Sequence, residues 1–211
     1  MKVFVVRTCK GRNMSNKNLD LTVLVPEFPE RPHIEIPRDQ LITQLARVFG
    51  PDCQKQVIIS DDHYGKTNFL SQFCRKYPSS AIGYFITSNP ITQNYRTFLY
   101  VICNQIAKIL GKENLSTSVS EEDLKNIYPG LSVKLSEYAK REGKKFFIVI
   151  DGIEFALESE TGRVIVDNPP ILNHLSPYLL LSCNLKTFDK LPDQLKKGAK
   201  KNSFEPAFRF N

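Results

Sequence analysis

The stretch VIISDDHYGKTNFLSQF, residues 57–73, limits what this chain can fold into more than any other. Val57, Ile58 and Ile59 form a short apolar, β-branched run of the kind that becomes a buried strand. A polar loop follows, Ser60-Asp61-Asp62-His63-Tyr64, and closes in Gly65-Lys66-Thr67. Phe69, Leu70 and Phe73 then recur at helical spacing. Strand, loop ending in GKT, then helix is the setting of a phosphate-binding P-loop. In such a loop backbone N–H groups and a helix N-terminus face the phosphates. Residues 60–67 are the expected cradle, with Lys66 reaching the outer phosphates and the Thr67 hydroxyl holding Mg²⁺. Two positions depart from G-x-x-x-x-G-K-[ST] usage. Ser60 stands where the first Gly belongs, and His63 where a Gly would adopt positive φ without steric cost. Asp61 and Asp62 bring like charge toward an anionic ligand, at about 0.5 kcal/mol each across roughly 8 Å of water. A plain strand–turn–helix that happens to contain GKT is the structural alternative.

A second stretch, KKFFIVIDGIE at 144–154, supplies the complementary chemistry. Phe146 to Ile150 is the most continuous apolar strand signal in the chain, and it ends in Asp151. A carboxylate at the carboxyl end of a buried parallel strand is where a P-loop enzyme holds Mg²⁺, directly or through water. Glu154, three residues on, is placed to orient an attacking water. An ordinary strand followed by an Asp-Gly turn is the alternative here. The spacing between the two stretches, with helical segments between them, makes the pair more specific than either half.

Together the motifs resemble the nucleotide-binding domain of the STAND class of AAA+-related P-loop ATPases, which includes the NACHT and apoptotic-ATPase families. Pro37-Arg38-Asp39-Gln40-Leu41, the loop 60–67 and Ile148-Val149-Ile150-Asp151-Gly152-Ile153-Glu154 carry the likeness, which spans roughly residues 34–185. The resemblance implies ATP or ADP with Mg²⁺ as ligands. It also implies that Arg38 lies near the bound nucleotide; a solvated charge in the first turn of a helix is the other reading of that residue. STAND relatives often carry Arg at the end of the last core strand, where this chain has Asn184. Ser182 or Asn184 would then sense the γ-phosphate, or else simply cap the strand. The resemblance further implies lid helices and a winged helix, for which the residues after 185 leave no room, so an open site with weak, fast-exchanging nucleotide is expected.

Around these motifs the chain reads as three parts. Residues 1–33 form an N-terminal extension with strand-like runs at Val3–Val6 and Leu19–Val25, divided by a basic, Asn-rich segment and followed by Pro26, Pro29 and Pro32. It fits a small hairpin, an arm toward a partner, or a leader without fixed structure. Residues 34–185 form the P-loop core. Within it Leu41, Ile42, Leu45, Val48 and Phe49 predict one apolar helical face before Gly50-Pro51. Ala81–Thr87 predicts a strand, and Tyr95–Leu110 a long helix. Two further helices are expected, one N-capped by Ser120 and one over about Leu131–Arg141. Residues 157–170 read as a polar loop, and Pro177–Asn184 as a last buried strand. Residues 186–211 form a basic tail, seven Lys and Arg against three Asp and Glu, or +4 of the chain's net +7. Such a cluster attracts nucleic acid or an acidic partner, but without aromatic interleaving a solvated end is favoured.

Composition narrows the class. A hydrophobic fraction of 41% and a charged fraction of 24% over 211 residues suit one substantial globular domain. No apolar run approaches the length of about twenty residues that spans a membrane. The five cysteines and three histidines show neither C-x-x-C nor H-x-x-x-H spacing, so reduced thiols and a cytoplasmic location are expected rather than a zinc site or disulfide framework. The alternation of strands and helices predicts an α/β fold: a mainly parallel sheet with helices on both faces and its ligand beyond the carboxyl ends of the strands. The expected function is that of an ATP-binding STAND-like core with Mg²⁺-dependent hydrolysis, self-associating or completed by a protein partner. A non-catalytic interaction module with a degenerate P-loop is the alternative, and a basic nucleic-acid-associated protein a third reading.

Overall fold

A computed structural model describes residues 29, 32, 33, 35–61, 64–167, 177–196 and 199–203, the last four by backbone alone. The expected strand runs of the N-terminal extension, Val3–Val6 and Leu19–Val25, lie outside the described residues, as do Asp62 and His63 of the loop.

The strands are β1 (Lys55–Ile59), β2 (Ala81–Phe85), β3 (Phe147–Asp151), β4 (Tyr178–Cys183) and β5 (Ala199–Ser203). They form one sheet in the order β2-β3-β4-β1-β5, and every neighbouring pair is parallel. Buried on both faces, the central strands need apolar residues at every position, which is why β3 is FIVID and β4 is YLLLSC rather than alternating. Period-two geometry sends neighbouring side chains to opposite layers. Ile58, Phe147, Val149 and Leu180 meet α1 (Asp39–Val48) and α2 (Lys66–Lys76) on one face. Val57, Ile148, Ile150, Leu179 and Leu181 meet α3 (Tyr95–Ile109) and α4 (Glu121–Glu142) on the other. The same layer also holds residues of α5 (Ile153–Leu157), α6 (Glu160–Asp167), α7 (Leu185–Lys190) and α8 (Asp193–Lys196). The expected α/β architecture, helices on both faces of a parallel sheet, is the one observed.

Local signals account for the helix ends. The Asn94 carboxamide accepts from the Thr97 N–H at 3.1 Å to start α3, and Ser120 Oγ accepts from the Asp123 N–H at 3.0 Å to start α4. Other expectations need correcting. The two helices expected around residues 120 and 131 are one helix of 22 residues that runs through Pro129. Pro removes one N–H and crowds one carbonyl, yet Leu124, Tyr128, Leu131, Leu135 and Ala139 continue a single buried stripe across it, chiefly against α3. Packing outweighs the local break. The polar loop expected at 157–170 contains α6, anchored by buried Ile165 and Val166. On α1 only Ile42 and Ala46 are buried, with Phe49 just beyond, while Leu41 and Val48 are exposed; the docking stripe is narrower than the expected face. The sheet also runs past residue 185: α7, α8 and β5 all come from the segment expected as a tail.

Candidate functional site

The two motif stretches meet at the carboxyl end of the sheet. β1 has β4 on one side and β5 on the other, so the crossovers diverge around it and leave a crevice at its end. The loop after β1 opens into that crevice. It turns into α2 at Gly65, whose φ of +77° and ψ of +27° favour glycine.

Lys66 opens α2 and is only 7% exposed. Its ammonium donates to the carbonyls of Ser60 at 2.8 Å and Asp61 at 2.9 Å, so the side chain arches back over the loop that precedes it. Thr67 Oγ1 donates to Asp151 Oδ2 at 2.5 Å, joining residues 84 apart in the chain. Ser182 Oγ, on β4, donates to the other carboxylate oxygen, Oδ1. Asp151 therefore sits at the end of β3 between a hydroxyl from the P-loop helix and one from the neighbouring strand. It is 3% exposed, and burial raises its pKa above the ordinary carboxylate value. The Ser182 and Thr67 hydroxyls, the Lys66 charge and the Gly152 amide oppose that rise.

After Asp151 the chain must turn sharply. Gly152 has φ +76°, and a Cβ there would lie 2.0 Å from the Ile86 carbonyl oxygen, so only glycine fits. This turn starts α5 and places Glu154 in its first turn, half-buried. Glu154 lines a cleft of about 460 Å³ together with Arg163, Asn184 and Lys186. Cys183 ends β4 and is buried. Burial pushes its thiol up to about 12; the Glu154 charge adds to the rise and Lys66 opposes it.

Arg38 precedes α1 and reaches the loop from the opposite side. Its Nη1 donates to the Gly65 carbonyl at 3.1 Å, and burial lowers its pKa. Asn184 accepts from the Thr187 N–H at 2.8 Å and caps α7, whereas Ser182 points at Asp151. Of the residues singled out in sequence, the structure thus joins Arg38 with Gly65, Lys66 with the Ser60 and Asp61 carbonyls, and Thr67 and Ser182 with Asp151, three sets of hydrogen bonds made by the consecutive residues 65, 66 and 67. Glu154 lines the cleft beside α5, while Asp61 and Tyr64 have exposed side chains. Gln72, not singled out, is buried in α2 and bonds the backbone on either side of Pro37. A polar residue between Leu70 and Phe73 on a core-facing helix is the sequence signal that could have found it.

The donor set suits Mg²⁺. This ion takes one or two carboxylates plus substrate phosphates and water instead of an all-protein cage, and Thr67 with Asp151 offers that minimum. Among the described residues no group of three or more His, Cys, Asp or Glu side chains could enclose a metal.

No family model and no curated protein matches the chain. Among solved structures it is similar to the Aeropyrum pernix ORC1 protein in complex with DNA: TM-score 0.52, 17% identity, 84% of this chain and 47% of that one. It is also similar to the Aeropyrum pernix ORC2 protein, solved as ADPNP–ADP complexes, with TM-score 0.46, 14% identity, 83% of this chain and 49% of that one. The chain spans about half the length of each. At 17% identity the first likeness shows a shared fold alone, an α/β fold built on a parallel sheet.

Proposed function

We propose that this chain binds a nucleoside triphosphate such as ATP with Mg²⁺ in the crevice at the end of β1, with little discrimination of the base, and that it hydrolyses the γ-phosphate by in-line attack of water. The observation that carries this reading is the Thr67–Asp151 contact of 2.5 Å. A helix-opening hydroxyl and a buried strand-end carboxylate, far apart in sequence, have little reason to meet unless something between them needs both. Lys66 and the amides of residues 60–67, Asp62 and His63 included, bind the phosphates. Thr67 and Asp151 hold Mg²⁺, which when bound neutralises charge on the β- and γ-oxygens. Glu154 accepts a hydrogen bond from water and aims its lone pair along the line of attack, the cleft beside α5 being its route of entry. Cytoplasmic residence belongs to the same proposal, supported by four free cysteines among the described residues. No helix among them is long and apolar enough to cross a membrane. A STAND-like regulatory role, with a partner or second copy completing the site, rests on the sequence motifs alone.

One observation favours a second reading, a P-loop fold kept as an interaction module. Lys66 already has two carbonyl partners, which polyphosphate must displace. Calorimetric titration with Mg·ATP separates the two. Wild type is expected to bind, Lys66→Ala to lose binding while staying folded, and Glu154→Gln to bind within a few-fold yet stop turnover. A folded wild type that takes up no heat with Mg·ATP or Mg·ADP establishes the non-catalytic module instead.

A further inference from the structure

We propose that Arg38 is a positioning residue for the phosphate loop: acting through the Gly65 carbonyl, it sets the direction of the first amides of α2. The inference rests on the phosphate-binding reading above. The Gly65 carbonyl accepts two hydrogen bonds, from the Phe69 N–H at 3.0 Å and from Arg38 Nη1 at 3.1 Å. The same planar, trans peptide carries the Lys66 N–H, which points opposite to that carbonyl. Holding the oxygen therefore aims the Lys66 N–H, one of the amides at the helix start with no intrahelical partner. Gly65 is the residue where this control matters, because glycine's backbone freedom lets the peptide rotate. A charge-assisted donor on its carbonyl resists that rotation more strongly than a neutral one.

Arg38 is itself fastened to the helix it steers. Its backbone N–H donates to Gln72 Oε1 at 3.1 Å, and Gln72 Nε2 donates to the Ile36 carbonyl at 3.0 Å. Glu35 pairs with Arg75 on one side, and Asp39 with Lys76 at 2.8 Å on the other. The strap from Glu35 to Asp39 is thus fastened to the C-terminal half of α2, at Gln72, Arg75 and Lys76, and from there the Arg38 guanidinium reaches Gly65 at the loop. An added Cβ on Gly65 would lie 3.2 Å from the Arg38 guanidinium, so the two are in close contact. A residue placed this way acts on the phosphate moiety and not on base or ribose.

The test compares Mg·ATP with tripolyphosphate, which lacks the nucleoside, on wild type, Lys66→Ala, Arg38→Ala and Arg38→Lys. Amide exchange of residues 64–69 is followed without ligand. Arg38→Ala is expected to weaken both ligands by the same factor, about tenfold, and to speed exchange in 64–69 while leaving α3 unchanged. Arg38→Lys, which keeps a charged donor, is expected to recover part of both losses. Loss of ATP affinity with tripolyphosphate binding intact means that Arg38 touches the nucleoside, and it overturns the proposal. Unchanged exchange at 64–69 in Arg38→Ala overturns it equally. Should wild type bind neither polyphosphate, the nucleotide reading falls, and the exchange measurement alone decides the role of Arg38: faster loop exchange sustains it, unchanged exchange removes it.

Discussion

Asp151 is a carboxylate kept where folding alone would not keep it. Burial raises its pKa, so the folded state binds the proton more tightly than the unfolded chain does. Its contribution to stability is therefore full below the ordinary carboxylate value of 3.8 and is lost as pH rises through the raised folded value. At neutral pH the ionised group costs stability, and Thr67, Ser182 and Lys66 return only part of that cost. Asp151→Asn is expected to raise the melting temperature of the ligand-free protein at pH 7 by about 2–4 °C for each kcal/mol recovered. The gap from wild type should shrink as pH falls through the raised folded value and close near the ordinary value of 3.8, and Mg²⁺ should no longer strengthen nucleotide binding. Thermal melts from pH 3.5 to 8, with and without Mg·ATP, check this; a destabilised Asp151→Asn protein at pH 7 would show that the two hydroxyl contacts outweigh the buried charge.

At the scale of the element, the clearest device is at the sheet's β2 edge. Parallel pairing with β3 leaves the outer side of β2 without a strand partner among the described residues. Gln105, buried on α3, supplies one: Gly83 N–H donates to its Oε1 at 2.9 Å, and its Nε2 donates to the Gly83 carbonyl at 2.7 Å. The carboxamide imitates one residue of a sixth strand and blunts an edge that would otherwise invite pairing with another chain. Gln105→Leu keeps the side chain's approximate size but orphans two buried backbone groups, at about 1–3 kcal/mol each. We expect a loss of roughly 2–4 kcal/mol in urea unfolding and faster aggregation near the midpoint; a change below about 1 kcal/mol would mean that water reaches the edge. Gln105 belongs to a helix whose extent the apolar spacing predicts well, yet its role is invisible in that spacing. The hydrogen bonds run to backbone, and backbone leaves no mark in a residue pattern.

For the whole molecule, the decisive feature is the fifth strand. β5 pairs with β1 over Lys55↔Ala199 to Ile59↔Ser203, beside the strand that leads into the GKT loop. Between β4 and β5, Phe188, Leu191 and Leu195 enter the core. A chain ending at residue 185 would lose those three side chains and expose the flank of β1. Leu and Phe truncations alone cost about 2–5 kcal/mol each, so the shortened protein should fall below the stability of an ordinary domain. Circular dichroism and unfolding of the 1–185 chain test this. A cooperative transition equal to that of the full chain would show that the basic segment is dispensable.

The sequence by itself determined the fold class, the β1–loop–α2 unit and the β3–Asp151 strand. Buried parallel strands need continuous apolar runs, and a tight strand-to-helix turn needs a glycine at positive φ where the helix starts; both demands fall within a few neighbouring residues. Tertiary structure alone decided the rest. β5, with the sequence AKKNS, carries no apolar signature because an edge strand is held by backbone hydrogen bonds to β1. α4 stays whole through Pro129 because α3 packs a stripe that continues beyond the break. The hold of Arg38 and Gln72 on the loop depends on how the strap before α1 lies along α2. Each of these is a contact between segments far apart in the chain, and its energy belongs to the pair, so neither segment read alone can reveal it.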